Sequence, residues 1–211
     1  MEHFNEFENY GFSSIVAYTG KDITEAMIEK CFEIDREFYE KEFSIEDSEI
    51  KEIIAKFGQM CLVLVDKEDN QVIGYSYWIP IKPEIFIDFL ENSKLLLNLK
   101  VDYCASFEEP EINLFQEGEA FVMGYDVKSL HNAIKDIVQL KILKLAQRGT
   151  KINCIAFESI CEYDEKFLAP SIGAKRKFKK DDSMFYCEKY SPKTMFLGSK
   201  YSKALLEYYK D

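Results

Sequence analysis

Cys61-Leu62-Val63-Leu64-Val65-Asp66-Lys67-Glu68-Asp69-Asn70-Gln71-Val72-Ile73-Gly74-Tyr75 carries the clearest fold signal in this chain. Residues 61–65 are an unbroken apolar run of strand length, and 66–70 are turn-forming polar residues. Residues 71–79 then alternate well enough to be the returning strand of a hairpin, and Pro80 and Pro83 are expected to end it.

The segments on either side follow from periodicity. Residues 15–18 read as a short strand before Gly20. Asp22 with Glu25 three residues on is a capping-box pattern, and Met27, Cys31, Ile34 and Phe38 repeat at helical spacing. Ile50, Ile53, Ile54 and Phe57 carry a second helix, stopped near Gly58. After the hairpin, Ile85, Phe86, Phe89 and Leu90 suit a short helix, while 95–99 could be helix or strand. Residues 119–127 read as a strand by composition. A long helix follows through Ile134, Ile137, Val138, Ile142 and Leu145, with Lys144 and Arg148 suited to its C-terminal dipole and Gly149 to its stop. Residues 152–157 form another strand and 162–168 a short helix halted by Pro170 and Gly173. Two more strands are expected at 174–178 and 183–190. Tyr201, Leu205 and Tyr208 fit one face of a final helix, which could dock on its own domain or support a homodimer. The order β-α-α-β-β-irregular-β-α-β-α-β-β-α is an α/β pattern in one domain over 1–211, with a core at about 15–190 and a helical extension at about 194–211.

Composition narrows the function. The chain has 211 residues, 47 % of them hydrophobic, which excludes a disordered protein. Its 38 acidic and 27 basic residues give a net charge of −11, which argues against a general nucleic-acid binder or an anionic-membrane binder. No apolar stretch reaches membrane-spanning length, and the acidic start at 1–6 lacks a signal-peptide apolar region. A cytoplasmic protein is expected. The six cysteines are scattered and read as reduced core residues, and two histidines make a zinc site or a histidine-activated nucleophile a poor reading. The basic run 175–180 is followed at once by Asp181 and Asp182, so it is either a local phosphate patch or a solvated hairpin.

The element order is similar to that of the GCN5-related N-acetyltransferase (GNAT) superfamily. The hairpin 62–75, with Asp69-Asn70 at the turn and Val72-Ile73-Gly74-Tyr75 after it, resembles the family's second and third strands. Residues 119–127 resemble the fourth strand, and Ile172-Gly173-Ala174 resembles the Leu-Gly-Phe turn before the last hairpin. The likeness spans about 15–190. It implies an α/β fold with a mixed central sheet flanked by helices, an insertion between the third and fourth strands, and a C-terminal helix.

The family's Arg/Gln-x-x-Gly-x-Gly/Ala motif holds the coenzyme A pyrophosphate on free amides at a helix N-terminus. Counted from Val127, the matching positions are Asn132, Lys135 and Ile137, and no glycine occurs between Gly124 and Gly149. The resemblance then implies acetyl-coenzyme A contacts at Val127, Asn132, Ala133, Lys135 and Ile137. The Lys135 ammonium would pair with phosphate, or be an ordinary first-turn lysine. The family's catalytic glutamate position falls on Phe121 and its tyrosine position on Ala169; Glu119, one pleat repeat earlier, is then a candidate base for deprotonating an amine or a solvated strand end, and Tyr163, one or two turns upstream, a candidate acid for the leaving thiolate or a packing residue. Tyr125 is a third possible acid or base, unless it is simply core. Glu108, Glu109, Glu111, Glu117 and Glu119 form either an acidic loop or a pocket for a cationic acceptor. The implied function is an acyl-coenzyme-A-dependent N-acyltransferase acting on an amine of a small molecule or protein. The alternative, favoured by the missing glycines, is a catalytically degenerate binding or regulatory module of the same fold.

Overall fold

Leu62–Asp66 (β2) and Gln71–Ile81 (β3) pair antiparallel, with Asn70 in a left-handed conformation at the turn. The computed structural model describes residues 4, 6–38, 47–91, 99–159, 169–174, 177–180, 183–196 and 198–210. The hairpin lies in a seven-stranded sheet, with Ile15–Thr19 (β1), Glu111–Phe121 (β4), Lys151–Ser159 (β5), Lys177–Lys180 (β6) and Ser183–Lys189 (β7). The spatial order is β1-β2-β3-β4-β5-β7-β6. Every pairing is antiparallel except β4 with β5, and a parallel pair needs a long crossover. The helix Val127–Gln147 (α4) supplies it.

The apolar run at 61–65 is unbroken because both faces of β2 are buried. Leu62 and Leu64 enter a core with Trp78, Leu114, Ile134, Ile137 and Ile142 under α4. Cys61 and Val63 enter the opposite core with Tyr75, Tyr77 and Ile79, under Glu25–Phe38 (α1) and Asp47–Phe57 (α2). The insertion between β3 and β4 contains Pro83–Glu91 (α3). The short helices Ala169–Ile172 (α5) and Ser202–Leu205 (α6) complete the chain. Among the described residues no helix is long and apolar enough to cross a membrane.

Several boundaries differ from the sequence reading. The fourth strand is Glu111–Phe121 and not 119–127; from Val122 the chain turns, and α4 has begun at Val127. Strand β3 runs through Pro80 to Ile81, because the proline carbonyl still accepts the Ala105 amide at 2.9 Å. Helix α1 is capped by Thr24, whose hydroxyl accepts the Met27 amide at 3.3 Å, while Asp22 lies in a preceding 3-10 turn. The last helix is a single turn, and Tyr201, Leu205 and Tyr208 pack against the chain's own core. Gly149 ends α4 as expected, its amide meeting the Ala146 carbonyl at 3.1 Å. The expected helix 162–168, most of 95–99, Cys161 and the charged pairs Lys175-Arg176 and Asp181-Asp182 lie outside the described residues. Burial pushes the Cys31, Cys61 and Cys104 thiols up to about 12.

Ala133 and Ile137 are fully buried on the sheet-facing side of α4. Ile137→Ala is expected to lower the unfolding free energy by about 2–5 kcal/mol, read by denaturant titration. A loss below ~1 kcal/mol would contradict this placement.

Candidate active site where β4 and β5 part

Parallel pairing between β4 and β5 runs from Glu111↔Lys151 to Gln116↔Phe157 and stops there. Both strands continue. β4 goes on to Phe121 against β3, and β5 goes on to Ser159 against β7. Among the described residues no strand pairs with the β5-facing edge of β4 beyond Gln116, so its backbone groups border a gap in the sheet.

A bulge sits at the mouth of this gap. Trp78 pairs with Gln116 and Tyr77 with Gly118, so Glu117 is the extra residue of β4. Simple alternation would put Glu117 and Glu119 on one face; the bulge separates them. Glu117 faces the α1 side, where it interacts electrostatically with Asp35, while Glu119 faces α4. Gly118 makes a close approach here. A Cβ at this position would lie 3.2 Å from the Tyr75 ring and hydroxyl, and the Tyr75 hydroxyl donates a hydrogen bond to Asp35. Tyr75 and Tyr77 stand side by side with ring centroids 4.5 Å apart. Asp35, Tyr75, Tyr77 and Glu117 thus form an acidic, aromatic-walled group beside the open edge. Burial, and secondarily the Asp35 charge, raise the Glu117 carboxyl to about 8.

Glu119 occupies the other face. Its Oε1 lies 2.5 Å from His131 Nδ1 on α4, both side chains are under 10 % exposed, and Oε2 is buried without a hydrogen-bond partner. The pair ties the first turns of α4 to β4, so Glu119 meets an imidazole and not the open edge of the strand. Tyr125 lies in the turn before α4 and not within a strand. Its hydroxyl donates to Asp66 Oδ2 at 3.0 Å, two strands from the gap, and its pKa is raised by burial and by that bond. Tyr163 lies outside the described residues.

The expected coenzyme contacts also fall elsewhere. Because α4 starts at Val127, the amides of Asn132, Ala133, Lys135 and Ile137 belong to its second and third turns, where N–H groups donate to carbonyls four residues back. They are not free donors. The Lys135 ammonium donates to Asn132 Oδ1 at 3.1 Å, and burial lowers its pKa. Of the five expected contacts only Val127 stands at the helix start. The true N-terminus follows a tight turn at Gly124, whose φ of +107° suits glycine. There Asp126 accepts the Ser129 hydroxyl at 2.7 Å and the Ser129 amide at 3.4 Å. The Ser129 hydroxyl, then the Ser129 and Lys128 amides, hold this carboxyl below its usual range. A carboxylate therefore stands where an N-terminal anion site would be. Asp126 thus holds the helix terminus that a bound diphosphate would need.

Solved structures share this architecture. The NatC complex bound to Gag peptide and CoA matches with a TM-score of 0.54 and 12 % identity, over 84 % of this chain and 99 % of that one. FeeM, an N-acyl amino acid synthase from uncultured soil microbes, matches with a TM-score of 0.53 and 10 % identity, over 83 % and 89 %. The loading GNATL domain of CurA from Lyngbya majuscula matches with a TM-score of 0.50 and 12 % identity, over 76 % and 71 %. No family model matches the sequence, and neither does any curated protein. The chain has the GNAT fold. At these identities the likeness stops at the fold, and chemistry has to be argued from the residues.

Glu117 binds its proton more tightly in the folded than in the unfolded chain, so its contribution to stability falls as pH rises from about 4.5 to about 8. Glu117→Gln is expected to flatten the decline in melting temperature across this window. An unchanged difference between the two ends would remove the buried carboxyl from the site.

Proposed function

We propose that this chain is an N-acyltransferase that moves an acyl group from a coenzyme A thioester to a cationic amine, with Glu117 as the proton acceptor. The observation that carries the reading is the bulged Glu117, its carboxyl raised to about 8, beside an unpaired strand edge. An extended thioester arm can lie along that edge as a substitute strand. Asp35, and Glu117 once ionised, attract an ammonium group, and the tyrosine walls restrict water around it. Glu117 then takes one proton from the ammonium; the freed nitrogen lone pair attacks the thioester carbonyl carbon, the C–S bond breaks, and coenzyme A leaves as its thiol with the nitrogen's second proton. Glu119 acts through His131 as a positioning residue holding α4 against β4. Tyr125 and Lys135 have no part in this reading.

Release of coenzyme A from acetyl-coenzyme A, followed chromatographically against a panel of primary amines, tests it. Wild-type kcat/KM is expected to rise with pH up to about 8. Glu117→Gln is expected to lower kcat by roughly 10²–10⁴-fold, the usual worth of a general base. Activity unchanged in that variant would end its assigned role.

Asp126 favours the second reading, a binding or regulatory module. Asn at this position still caps a helix but carries no charge. If a diphosphate competes with Asp126 for the α4 terminus, Asp126→Asn should tighten coenzyme A binding by about two- to fivefold, the factor matching ~0.3–1 kcal/mol of charge at a helix end. Titration calorimetry reads this. No binding by either protein at millimolar coenzyme A would support the module and count against the transferase.

A further inference from the structure

Tyr77 on β3 pairs with Gly118, the residue next to the bulged Glu117, and both Tyr77 and Glu117 face the α1 side of the sheet. Side chains so placed on neighbouring strands lie within reach of one another, and the Tyr77 hydroxyl interacts electrostatically with Glu117. Tyr77 is 2 % exposed, and its hydroxyl has no hydrogen-bond partner of normal geometry among the described residues. The Cys31 thiol beside it is only a weak partner. Glu117 matches it from the other strand: burial and the Asp35 charge act on its carboxyl, and no hydrogen bond from a described residue does. A buried hydroxyl left unmatched costs stability, and here it stands beside a carboxyl that is equally unmatched.

The other titratable groups around this pair are Asp35 and Cys31 on α1, Cys61 just before β2 and Tyr75 on β3. None of them can serve as a donor to Glu117 as readily. Asp35 is itself an acceptor, and the Tyr75 hydroxyl already donates to it. Burial pushes both thiols up to about 12, and a thiol is a weak donor. Burial, followed by the neighbouring thiol and carboxyl charges, also holds the Tyr77 phenol well above its ordinary value. Tyr77 therefore keeps its proton across the whole range in which Glu117 ionises.

We infer that Tyr77 is a positioning residue for Glu117: its hydroxyl donates a hydrogen bond to the carboxylate once that carboxylate has ionised, and so holds it in one orientation beside the acceptor nitrogen. Its role in transfer rests on the reading of Glu117 as the base. The Tyr77 proton is not exchanged; the proton that Glu117 takes comes from the ammonium. A bond made only to the ionised form lowers the cost of reaching that form, which a carboxyl buried next to Asp35 would otherwise meet alone.

Tyr77→Phe tests the assignment, because it removes the hydroxyl and keeps the ring, whose centroid lies 4.5 Å from that of Tyr75. Coenzyme A release from acetyl-coenzyme A is followed across pH with one amine in wild type and variant. The rise in kcat/KM of the variant should lie about one pH unit above that of wild type, an approximately tenfold loss at neutral pH, as expected for one hydrogen bond to a charged group. The loss should shrink at alkaline pH. Tyr77→3-fluorotyrosine, a stronger donor, should move the rise the other way. An unmoved rise, or a loss by the same factor at every pH, overturns the proposal. If wild type releases no coenzyme A with any amine, the transferase reading falls and melting temperatures decide the bond alone. The decline caused by Glu117 should then continue to higher pH in Tyr77→Phe than in wild type, because its folded carboxyl ionises later. Coincident declines overturn the bond.

Discussion

Backbone hydrogen bonding along β4 is the constraint on which the rest of the structure depends. A strand may leave one edge unpaired only if its other edge is firmly held and the neighbouring strand has a partner of its own. Both conditions are met. β3 follows β4 to Phe121, and β7 follows β5 to Ser159. The sheet is thus a four-stranded antiparallel part and a three-stranded part, joined by parallel pairing at one end. The gap can exist because each part closes on itself, and α4 links the two without crossing the gap as a strand.

The bulge in β4 resolves a conflict that plain alternation would create. Two carboxylates on the same face, one pleat repeat apart, would repel one another in a poorly solvated place. Moving Glu117 to the face of Tyr75 and Tyr77 leaves Glu119 alone with His131. Two carboxylates two residues apart thereby acquire different chemistry: one is paired and structural, the other stays protonated far above the ordinary carboxylate range. Gly118 leaves room for the Tyr75 ring, which a Cβ at this position would approach to 3.2 Å.

How much of this was legible in the sequence depended on how regular each segment is. The 61–75 hairpin, α2 and α4 are readable because burial on defined faces leaves strong periodic or continuous apolar patterns. β4 was misplaced by several residues because Glu111, Gln116, Glu117 and Glu119 break its pattern, and the bulge shifts the alternation halfway along. A strand placed too late carries with it the helix start and the positions matched to the family's phosphate motif, which fall in the interior of α4. Glu117 was visible only as one member of an acidic cluster. Its raised carboxyl depends on Asp35 and on burial contributed by distant strands, which no local spacing encodes. The sequence is least regular where the site lies, as expected when local rules yield to function.

Asp126 has a consequence for how α4 behaves without a ligand. A helix whose first turn waits for an external anion is only as secure at that end as the anion is abundant. Here the chain itself supplies the anion, three residues from the amide it meets. The start of α4 is therefore insulated from the phosphate content of its surroundings. Any incoming diphosphate faces a concentration threshold set by the protein's own chain before shape or charge can select it.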